Sequence, residues 1–190
     1  MKSITKLMLL SLLALVAFAS CSESDDVSEY GDWAAKNSAY IDSIAVEAQI
    51  NASGEWKRFL ATGLDPEAEH TNDYYVYCKV KAAGDGVGNP KSNSEVWVNY
   101  QGKLINGDIF DATYTGELIP EYETPVEVNL ADCVLGFSVA VQEMVKGDVW
   151  EVFIPSNLGY GINEQGGIRP SSTLIFTINL VDFIDAGEKK

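Results

Sequence analysis

Residues 152–161, Val152-Phe153-Ile154-Pro155-Ser156-Asn157-Leu158-Gly159-Tyr160-Gly161, run from an apolar segment into a Pro-Ser turn and then set a tyrosine beside a glycine. The apolar segment, taken from Val149 to Ile154, has the length of a buried strand, and Pro155 closes it because proline has no N–H to donate to a ladder. A short Gly-rich loop follows, Gly166-Gly167-Ile168-Arg169-Pro170, and Thr173-Leu174-Ile175-Phe176 opens the next strand. From Thr173 to Phe183 the apolar residues Leu174, Phe176, Ile178 and Leu180 recur with period two, so one face of this strand is buried.

The same alternation appears upstream. Tyr74 to Val80 and Glu95 to Leu104 read as strands, Asn106-Gly107 is a tight hairpin turn, and Val126 to Leu130 alternates briefly. Gly136 to Met144 carries Phe137, Ala140, Val141 and Met144 on one helical face, and Gly147-Asp148 turns the chain. The glycines at 84, 86 and 88 make a turn region and no phosphate loop, since no Lys-Ser/Thr pair follows them. Several antiparallel strands with one short helix predict an α+β fold, a curved antiparallel sheet wrapped on that helix.

The N-terminal third differs. Lys2 and Lys6 precede an uncharged run of twelve residues, Leu7 to Phe18, too short to cross a bilayer and suited to the hydrophobic region of a secretory signal. The run ends in Phe18-Ala19-Ser20-Cys21, which resembles a bacterial lipobox and predicts cleavage at 1–20 and lipidation of Cys21; an ordinary signal with an incidental cysteine is the alternative. Residues 21–28 read as an acidic, disordered tether, either a surface-export signal or a solvated linker. Residues 29–71 read as a helical segment. Glu29 to about Ala52 places Trp33, Tyr40 or Ile41, Ile44 and Ala48 at helical spacing, and Glu55 to Leu60 suggests a second short helical piece. Trp33, Trp56 and Phe59 are the expected packing residues against a domain at 72–190, and the segment is too small for its own core, so a monomer is expected, with a dimer as the alternative.

Composition narrows the chemistry. With 13 Lys+Arg against 28 Asp+Glu the formal charge is −15, which repels nucleic acid and anionic lipid. A lipid on Cys21 would then be what holds the chain to a membrane. Cys78 and Cys133 lie in apolar contexts and are expected as buried free thiols, with a disulfide as the alternative in an oxidising space. His70 is the sole histidine and sits in a polar stretch, which disfavours a histidine-based metal site or a Ser-His or Cys-His pair; no metal and no cofactor is expected.

Val98-Asn99-Tyr100-Gln101-Gly102, Gly107-Asp108-Ile109-Phe110-Asp111-Ala112-Thr113, Val134-Leu135-Gly136-Phe137 and the Tyr160, Ile168 and Phe176 positions together resemble the FKBP-type peptidyl-prolyl cis-trans isomerases, over about Tyr74 to Asp182. The resemblance implies a proline pocket with Tyr100, Phe110, Asp111, Tyr160, Ile168 and Phe176 as catalytic residues. Val126, Cys133, Val134 and Phe137 become substrate-binding positions, Phe137 as the floor. In that reading the Ile168 N–H and the Tyr160 hydroxyl donate to substrate carbonyls and Asp111 hydrogen-bonds within the site. Phe137 stands where the family most often has tryptophan, Val126 where it most often has an aromatic, and Leu135 where a proline is frequent, which implies a wider and less aromatic pocket.

The implied partners are proline-containing polypeptides in the cell envelope of a Gram-negative bacterium, and the implied role is assistance to the folding of exported proteins. A peptide-binding module or chaperone of the same fold with weak or no isomerase activity is the alternative. Taken singly, Tyr100, Phe110 and Phe176 read as core, and Asp111 reads as a turn former.

Overall fold

The computed structural model describes residues 23–188. Cys21 and the expected signal segment 1–20 lie outside the described residues. Two α-helices and seven strands follow in the order α1 (Glu23–Ile50), β1 (Trp56–Leu60), β2 (Tyr75–Ala82), β3 (Glu95–Lys103), β4 (Ile109–Ala112), β5 (Val126–Asn129), α2 (Leu135–Val141), β6 (Val149–Ile154) and β7 (Leu174–Ile184). The strands form one antiparallel sheet in the order β1-β2-β6-β7-β3-β4, with β5 also on β3. The expected α+β architecture is therefore the observed one.

β7 is the backbone of the sheet. Its Leu174, Phe176, Ile178 and Leu180 turn to one face together with Trp150, Val152 and Ile154 of β6 and Val96 and Val98 of β3, and α2 closes that face with Phe137, Ala140 and Val141. The helix can lie so close because residue 136 is glycine: a Cβ there would meet Ile154 Cγ2 at 2.3 Å. The opposite face is covered at one end by α1, whose Ile41 and Ile44 pack on Tyr77, Phe153 and Ile175.

β3 divides its outer edge. Glu95–Val98 pairs with β5 and Gln101–Lys103 with β4, leaving an interruption around Tyr100. Thr113 bridges it: its hydroxyl accepts the Tyr100 N–H at 2.9 Å, and its own N–H donates to the Tyr100 carbonyl at 2.9 Å. The backbone polar groups are thus satisfied at the place where the sheet opens.

Two expectations in the N-terminal third need correcting. The tract read as a disordered tether is helical from Glu23. Trp56–Leu60, expected to be helical, is a strand on the edge of β2 in the register Trp56↔Lys79 to Leu60↔Tyr75. Five residues cannot separate the two periods. What decides is that the sheet offers an aromatic partner on each face. Trp56 packs on Phe153 at 5.5 Å between centroids, and Phe59 stacks on Trp150 at 6.1 Å. Asn51 ends α1 as expected, taking φ +40 and closing on Trp56 with two side-chain hydrogen bonds.

Candidate active site

A cavity of about 330 Å³ opens between α2, the split edge of β3 and the loop between β6 and β7. Its walls are Tyr100, Phe110, Asp111, Val128, Asp132, Cys133, Val134, Phe137, Tyr160, Gln165, Gly166, Ile168 and Phe176. Nine of the ten residues marked from the sequence for catalysis or substrate binding are thereby brought together.

Four aromatic rings form the interior. Phe176 is at the centre, edge-on to Phe137 (5.3 Å, 79°), Phe110 (5.4 Å, 88°) and Tyr100 (6.0 Å, 63°), and Tyr100 is edge-on to Phe137 at 6.1 Å. Perpendicular packing sets the positive edge of one ring on the negative face of the next. Gly102 makes room for it. A Cβ at residue 102 would lie 2.5 Å from Phe110 Cζ and 2.8 Å from Phe176 Cε1. Gly102→Ala is therefore expected to displace both rings and cost about 1–3 kcal/mol of stability, read by denaturant unfolding, with a parallel loss of affinity for proline peptides.

The polar groups sit at the rim. The Tyr100 hydroxyl donates to Asp111 Oδ2 at 2.6 Å. Burial, then the hydrogen bond to Asp111 and its charge, push the Tyr100 phenol well above its ordinary pKa. Burial likewise raises Tyr160, with Asp111 and Cys133 adding to the effect. Cys133 is half-buried, its thiol donating to the Asn129 carbonyl at 3.6 Å, and burial pushes its pKa up to about 11. A thiol held neutral is a poor nucleophile at neutral pH. Cys78 and Cys133 are both free; Cys78 is the fully buried one, and burial raises its thiol as well. His70 is half-buried, its Nε2 2.7 Å from the Asp65 carbonyl, away from the cavity. Among the described residues no group of three His, Cys, Asp or Glu side chains is placed to hold a metal ion.

Two expectations about the site are corrected. Val126 is 38% exposed at the start of β5 and does not line the cavity; Val128, two residues on and on the same strand face, does. Ile168 does line it, but its N–H is already given to the Gln165 carbonyl at 2.8 Å, while the Gln165 N–H donates back to the Ile168 carbonyl at 3.1 Å. That pair closes the Gly166-Gly167 turn, both glycines at positive φ, and removes Ile168 as the backbone donor. Val134 stands at the N-cap of α2 on the cavity wall, where its N–H lies outside the helix ladder. Sequence reasoning also passed over Asp132, Gln165 and Gly166; the last two lie within or beside the Gly-rich loop, which itself was the available signal.

A curved sheet on one short helix encloses an aromatic cavity with hydroxyl and carboxylate at its rim, a site shaped for an apolar ring. A model of the FKBP-type peptidyl-prolyl cis-trans isomerase family matches residues 86–181, half of the chain. The chain belongs to that family.

Among its relatives, the peptidyl-prolyl cis-trans isomerase Mip of Coxiella burnetii is 40% identical over 106 residues, covering 54% of this chain and 42% of that protein. The outer membrane protein MIP of Legionella longbeachae is 38% identical over 104 residues, again 54% of this chain and 42% of the relative. The chain thus spans less than half the length of these two relatives. The crystal structure of FkpA from Escherichia coli resembles it with a TM-score of 0.61 at 28% identity, over 84% of this chain and 65% of that one.

Proposed function

We propose that this protein catalyses cis–trans rotation about Xaa-Pro bonds in polypeptides of a Gram-negative cell envelope, without covalent chemistry. The observation that carries the reading is the four-ring cavity with the Tyr100–Asp111 pair and Tyr160 at its mouth. An Xaa-Pro bond rotates over a barrier of about 18–20 kcal/mol because amide resonance is lost as C–N twists. The uncatalysed event takes tens to hundreds of seconds. The twisted amide has less charge separation than the planar one, so an apolar, water-poor cavity binds it better than the ground state, and differential binding is all that catalysis requires.

Tyr100, Phe110, Phe137 and Phe176 hold the proline ring, with Val128 in the wall position first assigned to Val126. The Tyr160 hydroxyl donates to one substrate carbonyl. The Val134 N–H takes the backbone-donor role that the Gln165–Ile168 pair denies to Ile168. Ile168 contributes its side chain, and Asp111 orients Tyr100.

The test is exchange in Phe-Pro and Leu-Pro peptides with the full chain. Catalysis far above the thermal rate supports the reading. Peptide binding without catalysis favours the alternative, a binding module or chaperone; the specific support for that alternative is Phe137, a smaller floor than the family's usual tryptophan. Because the phenols of Tyr100 and Tyr160 and the Cys133 thiol are all raised, each stays protonated as the pH rises past neutrality. The rate is therefore expected to be flat from about pH 6 to about pH 9, and an inflection near neutral pH would contradict it.

The envelope address rests on the signal-like segment and Cys21, and is in keeping with a relative named an outer membrane protein. Lipidation at Cys21 predicts that Cys21→Ala leaves the membrane fraction; retention there would count against the anchor. Among the described residues no helix is long and apolar enough to cross a membrane. Assistance to the folding of exported proteins, as a monomer, completes the proposal.

A further inference from the structure

We infer that helix α1 belongs to the working machinery of the site: Trp33 and Asn37 are positioning residues for the loop that carries Ile168 and, through it, for Tyr160. The inference rests on the isomerase reading given under Proposed function. The Trp33 Nε1–H donates to Ser172 Oγ at 2.9 Å, and the Ser172 hydroxyl donates in turn to the Arg169 carbonyl at 2.6 Å. The Arg169 guanidinium lies 5.5 Å from the centre of the Trp33 ring. One helical turn on, Asn37 Oδ1 accepts the Thr173 N–H at 2.7 Å, the Thr173 hydroxyl donates to the Asn37 carbonyl at 3.4 Å, and Asn37 Nδ2 donates to the Trp33 carbonyl at 2.8 Å. These groups are buried, with Asn37 at 2%, Ser172 at 3% and Thr173 at 0% exposure.

The clamped segment is a junction. Between Arg169 and Ser172 the chain passes through Ser171, a non-glycine residue at φ +61, a conformation that persists only where the surroundings impose it. The Ser171 N–H donates to the Gly161 carbonyl at 2.7 Å, and the Gly161 N–H donates to the Ser156 carbonyl at 2.8 Å, so the backbone beside Tyr160 is tied to the same point. Ile168 precedes it, closed by its pair with Gln165. One side of residues 171–173 therefore holds Tyr160 and Ile168 of the cavity loop, and the other side is held by α1.

Ile41 and Ile44 bury apolar surface between the helix and the sheet. The buried polar pairs add little apolar area. What they specify is where the loop stands, since each is satisfied in one arrangement only. A displacement of about 1 Å in a positioning group costs up to about a hundredfold in rate.

Trp33→Phe keeps an aromatic ring, though a smaller one, and removes the N–H; Asn37→Ala removes the acceptor for Thr173. In the full chain, well below thermal unfolding, each is expected to lower kcat/KM on a Phe-Pro peptide roughly tenfold. Amide hydrogen exchange should quicken over residues 160–173 while β2 and β3 stay protected. Trp33→Phe combined with Ser172→Ala should lose less than the sum of the two single changes, because both remove the Trp33–Ser172 bond. Faster loop exchange with full kcat/KM would show that the helix only stabilises the fold and would overturn the inference, as would no change in either readout. Should Asn37→Ala fail to fold, the Trp33→Phe and Ser172→Ala pair decides. Should the parent chain catalyse no exchange, the isomerase reading falls, and the clamp is judged by loop exchange together with Phe-Pro peptide affinity: both altered in Trp33→Phe supports it, either unaltered overturns it.

Discussion

Phe176→Ala should lower stability by about 3–5 kcal/mol and abolish measurable peptide exchange. Phe176 is 6% exposed on the central strand and touches Tyr100, Phe110 and Phe137 edge to face, so its loss removes the side chain on which the other three rings rest. Each such ring pair contributes about 0.5–1.5 kcal/mol beyond its buried area. The hole opens into an existing cavity and cannot collapse, because β7 is held on both edges by β3 and β6. Denaturant unfolding would show a lower midpoint with an unchanged slope. Phe176→Leu, which fills most of the volume, should recover much of the stability and little of the activity. Activity retained in Phe176→Ala would mean that substrate is held elsewhere than in this cavity.

Asp111→Leu is expected to lower kcat/KM about tenfold or more, with a stability loss of no more than about 1–2 kcal/mol. Asp111 is exposed and anchors no core, yet it accepts the Tyr100 hydroxyl at 2.6 Å. A hydrogen bond to a charged acceptor contributes about 1.5–3 kcal/mol, and solvent at the rim reduces that to about 1–2 kcal/mol here. Its removal frees the Tyr100 hydroxyl to turn toward the proline ring and makes the cavity mouth less polar. Tyr100→Phe tests the same bond from the other side. If the pair acts as a unit, Tyr100→Phe with Asp111→Leu will lose less than the sum of the single changes. An undiminished kcat/KM in Asp111→Leu would return that residue to the role of a turn former.

Much of this was legible because alternation survives in a linear reading. β6 is reproduced to the residue, and β2, β3, β5 and β7 lie within two residues of where period two placed them. Phe137, Ala140 and Val141 on α2 and Met144 just past its end are all buried, although the helix stops at Val141, three residues short of the expected Met144. The short pieces were less legible. Trp56–Leu60 is as compatible with a helix as with a strand until Phe153 and Trp150 are present on opposite faces of the sheet. Val126 and Val128 are equivalent by alternation, and only the start of β5 at the rim sets them apart.

That residues 100, 110, 137, 160, 168 and 176 share one site was implied by the resemblance to the family and not by period, since 100, 110 and 176 lie on strands, 137 on α2 and 160 and 168 on the loop between β6 and β7. The tertiary structure alone decided which polar groups are spent. Ile168 gives its N–H to Gln165, and Trp33 and Asn37 reach across more than 130 residues to hold the loop behind Tyr160. A hydrogen bond between distant segments leaves no periodic trace in the chain. It depends on where two surfaces meet, and that is set only when the whole core has packed.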